Sequence, residues 1–523
     1  METIEDYIIK NVFTKLKNID EQKLDAIKRE AAFKYGSSIP TNIDLLQAYH
    51  RLIKTNKIKR SSRLEELLKT RKIRTLSGIV AITAITKPYP CPGKCLYCPK
   101  EQNMPKSYLA NEPACMRAVL NKFDPYLQVK TRLNSLRIAG HATDKIELIV
   151  LGGTWSAYTK NYQNWFIKRC FDACNGGSAS KSLKIAQKRN ESAKNRIIGI
   201  TLETRPDFID KEEVKQLRKL GCTRVELGVQ SIDEKILKQN RRGHGIKEII
   251  GATKVLKNAG FKITYHMMLN LPGSTPKKDE EMFKKLFSCP DFQPDQLKIY
   301  PCAVLKTAPL YNLWKQNKYR PYSQKQLINL LIKIKEKIPP YVRIIRIIRD
   351  IPAQSIIAGN KVSNLREVVG SEMKKQNKKC RCIRCREIRN LKFKNQNLKL
   401  IRTDYDASGG KEIFLSFENT KIDKILAFLR LRIADEWTLP ILKNCALIRE
   451  LHTYGLTVPI AKKMKNAQQH QSLGKRLMAE AEKIVKNETK YKKIAVIAGI
   501  GVREYYRRLG YRLYQHYMIK HIP

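Results

Sequence analysis

Apolar residues in the first 75 positions recur at helical spacing. Ile4, Ile8, Ile9 and Phe13 fall on one stripe, and Leu45, Leu46, Tyr49 and Leu52 on another, which predicts a helical opening region over 1–75. From residue 77 the pattern changes to β-branched runs: SGIVAITAI, KIELIVLGG, RIIGITLETRP, RVELGVQS, KITYHMMLNLPG and QLKIYP. Amphipathic stretches lie between them, such as 211-KEEVKQLRKLG and 245-GIKEIIGATKVLKNAG, the second ending at a glycine C-cap. Strand–helix alternation of this kind predicts parallel strands, in an open sheet or a barrel, over residues 76–349. In such folds the site gathers at the C-terminal strand ends. There stand GGT (152–154), ETRPD (203–207), GVQS (228–231) and NLPG (270–273). The rhythm breaks over 350–400. From 401 to 523 a new pattern holds strands IFLSF, LAFLRLRIA and CALIRELHTYGLTV. A helix near 471–486 carries Leu473, Leu477, Ala481 and Ile484, before a strand IAVIAG and a tyrosine-rich close. The pattern contains no internal repeat.

Charge adds a partner to this outline. The chain carries 102 Lys and Arg against 48 Asp and Glu, a net +54, and each phosphate contact made by such a surface releases counterions. A nucleic acid is the expected partner, DNA and RNA being equal on this ground. Lysine enrichment from an AT-rich genome is the alternative source of the charge. IKTNKIKRSSR and LKTRKIR make the opening helices basic just before the first strand; they read either as a phosphate-binding surface or as a solvated helical face. The start METIEDYIIKNVF lacks the apolar core of a signal peptide. VRIIRIIRDIP is interrupted by arginine, so no membrane span is expected. A cytoplasmic protein follows.

Cysteine usage sharpens the chemistry. Without a secretory signal, tight cysteine clusters favour metal sites over disulfides. Cys115, Cys170, Cys174, Cys222, Cys289, Cys302 and Cys445 are scattered and read as small core residues. Cys91, Cys95 and Cys98 form Cys-x3-Cys-x2-Cys on the loop after the first apolar strand. Ordinary iron–sulfur proteins use four thiolates. Three can hold three irons of a [4Fe–4S] cluster and leave the fourth open; a zinc site with a distant fourth ligand is the alternative. The spacing and position resemble those of the radical S-adenosylmethionine enzymes, whose open iron chelates the methionyl amino and carboxylate groups. Tyr97 fits that family's aromatic before the third cysteine, and Gly152, Gly153 and Thr154 fit its seat for the methionyl amino group. A Gly-Gly pair is otherwise an ordinary turn. Cys380, Cys382 and Cys385, flanked by Lys and Arg, are expected to bind structural Zn2+ with a fourth ligand from elsewhere, stapling the linker.

The segment 468-QQHQSLGKRLMAEAEKIV resembles the acyl-CoA pyrophosphate loop of the GCN5-related N-acetyltransferases (GNAT). A helix N-terminus there offers free N–H groups to phosphate. Gln469 and Gly474 match, while Ser472 stands where the first glycine is usual. IAVIAG and YYRRLGY follow at that fold's distances. Such tyrosines lie beside the thioester sulfur and act as acid; aromatic core packing is the alternative for Tyr505 and Tyr506.

Radical and acetyltransferase motifs on one chain resemble the catalytic subunit of Elongator, in its archaeal or bacterial form. RKIRTLSGIVAITAITKPYPCPGKCLYCP, YLANEPACMRAVLNKFDPYLQVKTRL, GHATDKIELIVLGGT, GITLETRPD, VELGVQS, RELHTYG and YYRRLGY carry the resemblance, from residue 71 to 511. It implies a partial (β/α) radical S-adenosylmethionine barrel, joined by a zinc linker to a GNAT domain. It further implies that a 5′-deoxyadenosyl radical takes hydrogen from the methyl group of acetyl-CoA. The carbon radical then adds to C5 of the wobble uridine of a tRNA anticodon loop, and thioester hydrolysis leaves 5-carboxymethyluridine. Acetyl-CoA contacts would fall at Lys145, Glu450, Leu451, His452, Thr453, Leu473, Gly474, Lys475 and Tyr506, with Tyr506 and His452 as catalytic candidates. Lys145 reads alternatively as a solvated lysine and His452 as a core histidine. Elongator-like subunits or a second copy would be further partners. The rival readings are a protein lysine acetyltransferase with a structural iron–sulfur domain and a non-catalytic tRNA-binding scaffold.

Overall fold

The computed structural model describes residues 2–16, 18–70, 78–388, 397–454 and 472–523. Gln469, with most of the loop it belongs to, lies outside the described residues, as do 455–458 of the expected CALIRELHTYGLTV strand and the RKIRTLS segment at 71–77.

Four helices, Ile4–Thr14, Glu21–Lys34, Asn42–Lys54 and Ser62–Leu68, open the chain. Thr3, Asp20, Thr41 and Ser61 each accept a backbone N–H three residues on, satisfying an otherwise orphaned donor at each helix start. Ile8, Ile9, Leu45, Leu46, Tyr49 and Leu52 meet in a small core of their own, with Ile4 and Phe13 packed against it.

The barrel strands are β1 (Val80–Ile85), β2 (Lys145–Leu151), β3 (Arg196–Thr204), β4 (Arg224–Gln230), β5 (Lys262–Leu269) and β6 (Gln296–Pro301). After a short β7 (Val304–Leu305) comes β8 (Arg343–Arg346), from the arginine-interrupted run. β1 to β6 and β8 pair in that order, all parallel, as an open half-barrel. The helix Ile246–Lys257 closes at Gly260, φ +87°, as its sequence predicts.

The 350–400 stretch is more regular than a stapled linker. It contains β9 (Ile356–Ala358), paired with β7, and a helix Leu365–Lys375. The second sheet already begins at Leu398 with β10 (Leu398–Asp406). Then follow β11 (Lys411–Asn419), β12 (Lys424–Ile433), β13 (Cys445–Thr453), β14 (Lys493–Val496), β15 (Arg512–Tyr514) and β16 (Tyr517–His521). This sheet is antiparallel except where β13 meets β14. Of the scattered cysteines, Cys289 is half-exposed and the other six are buried. Among the described residues no helix is long and apolar enough to cross a membrane.

The second sheet packs across the N-terminal ends of the barrel strands, and charge is buried at that seam. Asp295, ahead of β6, is 3.0 Å from Arg449 Nη1 and 3.7 Å from Arg430. Glu412 accepts from Arg432 at 2.9 Å and from Arg449 at 3.0 Å. Lys257 stands 3.6 Å from Asp295 and 3.8 Å from Glu412, and none of these side chains is more than 1 % exposed. A bulge between β12 and β13, opposite Arg430 and Leu431, leaves Arg449 unpaired in the register and available to the seam. Gly499 is required where the sheets touch, since a Cβ there would sit 1.9 Å from the Ile198 carbonyl oxygen.

With Glu450 bonded to Arg430 at 3.0 Å, four fully buried cations face three carboxylates, and the part-exposed Lys262 also stands 3.7 Å from Glu450. Lys257 is the surplus: its Nζ has no hydrogen-bond partner, and burial pushes its pKa down to about 8. Removing a carboxylate strands several guanidiniums, so Asp295→Ala is expected to cost about 3–5 kcal/mol in chemical denaturation. Lys257→Met is expected to be neutral or stabilising. Between pH 8 and about 10.4 the unfolded lysine holds a proton that the folded one has released, so stability rises with pH there. The Lys257→Met protein should lack that increment; an unchanged pH slope would contradict the assignment.

Candidate active site

The C-terminal strand ends open onto a cavity of about 940 Å³. Cys91, Cys95 and Cys98 enter it from the loop after β1, Gly153 and Thr154 from the end of β2, and Glu203 to Arg205 from β3. Gly152 makes the turn off β2 at φ +137°, and a Cβ there would lie 1.9 Å from Thr86 Oγ1. Cys91 Sγ is 3.8 Å from Thr154 Oγ1, and Arg242 Nη1 donates to Cys95 Sγ at 3.3 Å. Lys106 donates to the Gly93 carbonyl and Arg242 to that of Gly228. The hydrogen bond from Cys98, with Arg242 beside it, favours the Cys95 thiolate; Cys98 is pushed up in exchange.

Three features at this end ask for a ligand. Arg205 Nη1 and Gln230 Oε1 are buried with no hydrogen-bond partner among the described residues, a condition that costs free energy unless something fills it. Gln230 is held at φ +71°, a conformation rare for a residue with a side chain. The third feature is sulfur spacing. Thiolates sharing one zinc, at Zn–S of about 2.3 Å, lie within about 4 Å of each other. Cys380, Cys382 and Cys385 come near that condition, with sulfurs all within 4.8 Å of one another. Cys91, Cys95 and Cys98 are not gathered that closely, as suits thiolates on separate irons of a cluster. The second set holds three ligands among the described residues, with no fourth. Both donor sets fit the groups expected from them.

Below the cysteines the lumen is polar. Glu226, fully buried, is bonded to Lys298 and lies 2.8 Å from His266 Nε2, and the lysine's charge together with the His266 hydrogen bond holds its carboxyl well below the usual range despite burial. Tyr108 OH donates to Glu203 at 2.7 Å, and Arg224 pairs with Glu147 at 2.9 Å. Twelve Lys and Arg side chains line the cavity against five Asp and Glu, so its field favours an anionic occupant.

The expected acyl-CoA residues sit at the other end of the barrel strands. Lys145 is the first residue of β2, half-buried and with its pKa lowered by burial. It registers with Arg196, against which Gly501 packs. Glu450, Leu451, His452 and Thr453 end β13. The parallel β13–β14 register runs from Cys445↔Lys493 to Ile448↔Val496 and stops, so β13 continues past β14 with no strand on that edge among the described residues. Glu450 is held by Arg430 and stands 3.7 Å from Lys262. His452 lies between Phe428 and Tyr454; burial lowers its pKa to about 4, and its Nε2 has no partner among the described residues. The imidazole is therefore neutral at pH 7.

The helix Leu473–Glu488 brings Gly474 to this edge. A Cβ on Gly474 would be 3.1 Å from Tyr505 OH and 3.6 Å from Thr453 Oγ1. Ser472 has φ +57°, a left-handed backbone that a glycine adopts at less cost. Leu473 is buried and Lys475 exposed. Tyr506 is buried, its ring edge-on to Tyr505 and Tyr511 at 5.2 and 6.1 Å; the hydroxyl beside Gly474 is that of Tyr505.

Several residues escaped the sequence. Arg205, Arg242 and Gln230 fall within or near the strand-end motifs, but no spacing identified them individually. Arg343 is less legible still: it lines the cavity and donates to Tyr454 OH at 2.8 Å, and the Tyr454 ring is 4.3 Å from that of His452. One side chain thus links the two ends.

Gly152→Ala should be costly, on the order of a few kcal/mol, since both its φ and the Thr86 contact oppose a side chain. Gly153→Ala meets nothing nearer than 3.8 Å and should cost less. Thermal unfolding of the two variants checks the order.

Residues 88–286 match the Radical SAM superfamily and residues 294–375 the Radical SAM C-terminal domain. The chain is 44% identical over 522 residues to the tRNA uridine(34) acetyltransferase of Methanocaldococcus infernus, covering 97% of this chain and 96% of the relative. It is 38% identical over 526 residues to Elongator complex protein 3 of Homo sapiens, covering 96% and 93%. The solved structure of archaeal Methanocaldococcus infernus Elp3 with an N-terminal deletion (1–46) superposes at a TM-score of 0.76 and 44% identity, over 85% of this chain and 99% of that one.

Proposed function

The chain belongs to the family of the tRNA uridine(34) acetyltransferases and Elongator complex protein 3, and from that membership we propose that it forms 5-carboxymethyluridine at the wobble position of tRNA. The observation that carries this reading is a three-cysteine loop over a positively lined cavity, in a chain similar over nearly its whole length to enzymes named for uridine 34. Cys91, Cys95 and Cys98 would hold a [4Fe–4S] cluster, with Gly152, Gly153 and Thr154 at the S-adenosylmethionine side. When bound, these groups supply the radical that takes hydrogen from the acetyl methyl of acetyl-CoA and so lets that carbon join C5 of the uridine.

The protein's own residues do the rest. Arg242 offsets the thiolate charge at Cys95, and the buried Gln230 and Arg205 offer the unpaired acceptor and donor that a ligand beside the cluster needs. Glu203, His266 and Lys298 provide acceptors and donors in the lumen, the inventory that reads the edge of a flipped-out uracil. At the far end, the edge of β13 beyond β14 can pair with the amides of an extended pantetheine arm, as a strand would. Gly474, Leu473 and Lys475 at the helix start would take the pyrophosphate. Neutral His452, with its free Nε2, suits a proton acceptor near the thioester, and Tyr506 together with Tyr505 the acid side. Lys145 would contact the CoA tail. The basic opening helices would grip the tRNA backbone. Cys380, Cys382 and Cys385 would bind a structural zinc.

Anaerobically reconstituted protein, given S-adenosylmethionine, acetyl-CoA and tRNA, is expected to yield 5-carboxymethyluridine by nucleoside mass spectrometry, and Cys95→Ala none. Product from Cys95→Ala would overturn the radical reading. Lysine acetylation without a tRNA product would favour a protein acetyltransferase, and tRNA binding without S-adenosylmethionine cleavage a scaffold. Metal analysis should separate the two cysteine sets: Cys382→Ser should lose zinc and keep iron, and Cys98→Ser the reverse.

A further inference from the structure

A column of aromatic rings rises beside the cysteine loop, and neither the cluster nor the acyl site uses it. Tyr89 stands two residues before Cys91, between Pro88 and Pro90. Its ring lies on Tyr158, centroids 4.6 Å apart and planes 30° apart. Tyr158 is stacked on Tyr162 at 4.9 Å and 23°, and Tyr162 meets Trp165 at 5.6 Å. The middle is pinned: Tyr158 OH donates to the Lys87 carbonyl at 2.7 Å, and Lys87 N–H donates to Tyr162 OH at 3.1 Å. The ends are bare, with Tyr89 38 % and Trp165 43 % exposed.

Core packing accounts for the buried Tyr158 but not for an open ring at Tyr89. The two prolines fix the backbone on either side, so the ring is held out at little entropic cost. Lys87 and Lys94 are exposed on the same loop, and Lys87 Nζ also lies 5.1 Å from the Tyr162 ring centre. An exposed aromatic face with lysines beside it is the surface that single-stranded nucleic acid uses, bases on rings and phosphates on cations. The column adjoins the cavity mouth, since Thr154, which touches Cys91, begins the turn Trp155–Ala157 that leads into Tyr158.

We propose that Tyr89 is a stacking shelf for an unpaired base of the RNA substrate, next to the base that enters the cavity. The proposal rests on the RNA-modifying reading above and adds a base-binding site outside the reaction centre. Stacking is indifferent to base identity because every base has a π-face, so the shelf would position the loop without choosing its sequence. Lys87 would hold the phosphate of the same nucleotide.

The test uses full-length, cluster-loaded protein and two labelled RNAs, an anticodon stem-loop and a duplex of equal charge. Tyr89→Ala is expected to weaken stem-loop binding by about 5- to 100-fold and to leave duplex binding unchanged. Tyr89→Trp and Tyr89→Phe should stay within a few-fold of wild type. Lys87→Gln should lower the salt dependence of binding by about one counterion. Iron content and the visible spectrum verify that each variant keeps its cluster. Equal stem-loop affinity in wild type and Tyr89→Ala would overturn the shelf alone, whereas a wild-type protein that binds no stem-loop would overturn the RNA reading beneath it. Slower cluster reduction in Tyr89→Ala with RNA binding intact would also overturn it, in favour of an electron path.

Discussion

The fold depends on a group of charges that no water reaches. Asp295 and Glu412 sit between Arg430, Arg432, Arg449 and Lys257, where the second sheet meets the barrel floor. Taking such groups out of water costs several kcal/mol per ion, which attraction offsets only when geometry and hydrogen bonding are complete. Here all but Lys257 are bonded from both sides: Asp295 also accepts from Ile263 N–H, Arg449 donates to the Phe261 carbonyl, and Arg432 to Asn258. Neither sheet could bury its share alone. The seam is therefore a specific interface, and the β13 bulge at Arg449 is part of it.

That seam sets the distance between the cysteine loop and the residues proposed to hold acetyl-CoA. The cysteine loop lies at one end of the strands and the edge of β13 beyond β14 at the other. Lys145 to Leu151 is seven residues, so the ends are separated by about 20 Å of strand. The polar lumen spans the interval, and Arg343 touches both the cavity and Tyr454. Charged groups thus line the inside of the half-barrel where a closed one holds packed aliphatic layers.

Local periodicity made most elements legible. The opening helices, six barrel strands and four strands of the second sheet, β11 to β14, follow from apolar spacing, because each buries one face against a continuous core. β8 was obscured by its arginines, yet Arg343 and Arg346 are there to face the cavity. β10 hid in a lysine-rich run because it is an edge strand whose residues alternate between half-buried and exposed. The 350–400 segment looked like a linker because its elements are short and its strand β9 bonds only to the two-residue β7.

The chain's order of residues determined the two cysteine sets, the glycines of the β2 turn and the helix start at Leu473, since spacing along a backbone fixes what a single loop can hold. It also determined the excess of positive charge. Tertiary structure alone decided which sulfurs stand close enough for one ion, that Tyr505 and not Tyr506 brings its hydroxyl to Gly474, and that Arg343 joins two sites. It alone placed Tyr89 on Tyr158, 69 residues on. These are contacts between residues far apart in the chain, and only the packing of one element on another sets their distances.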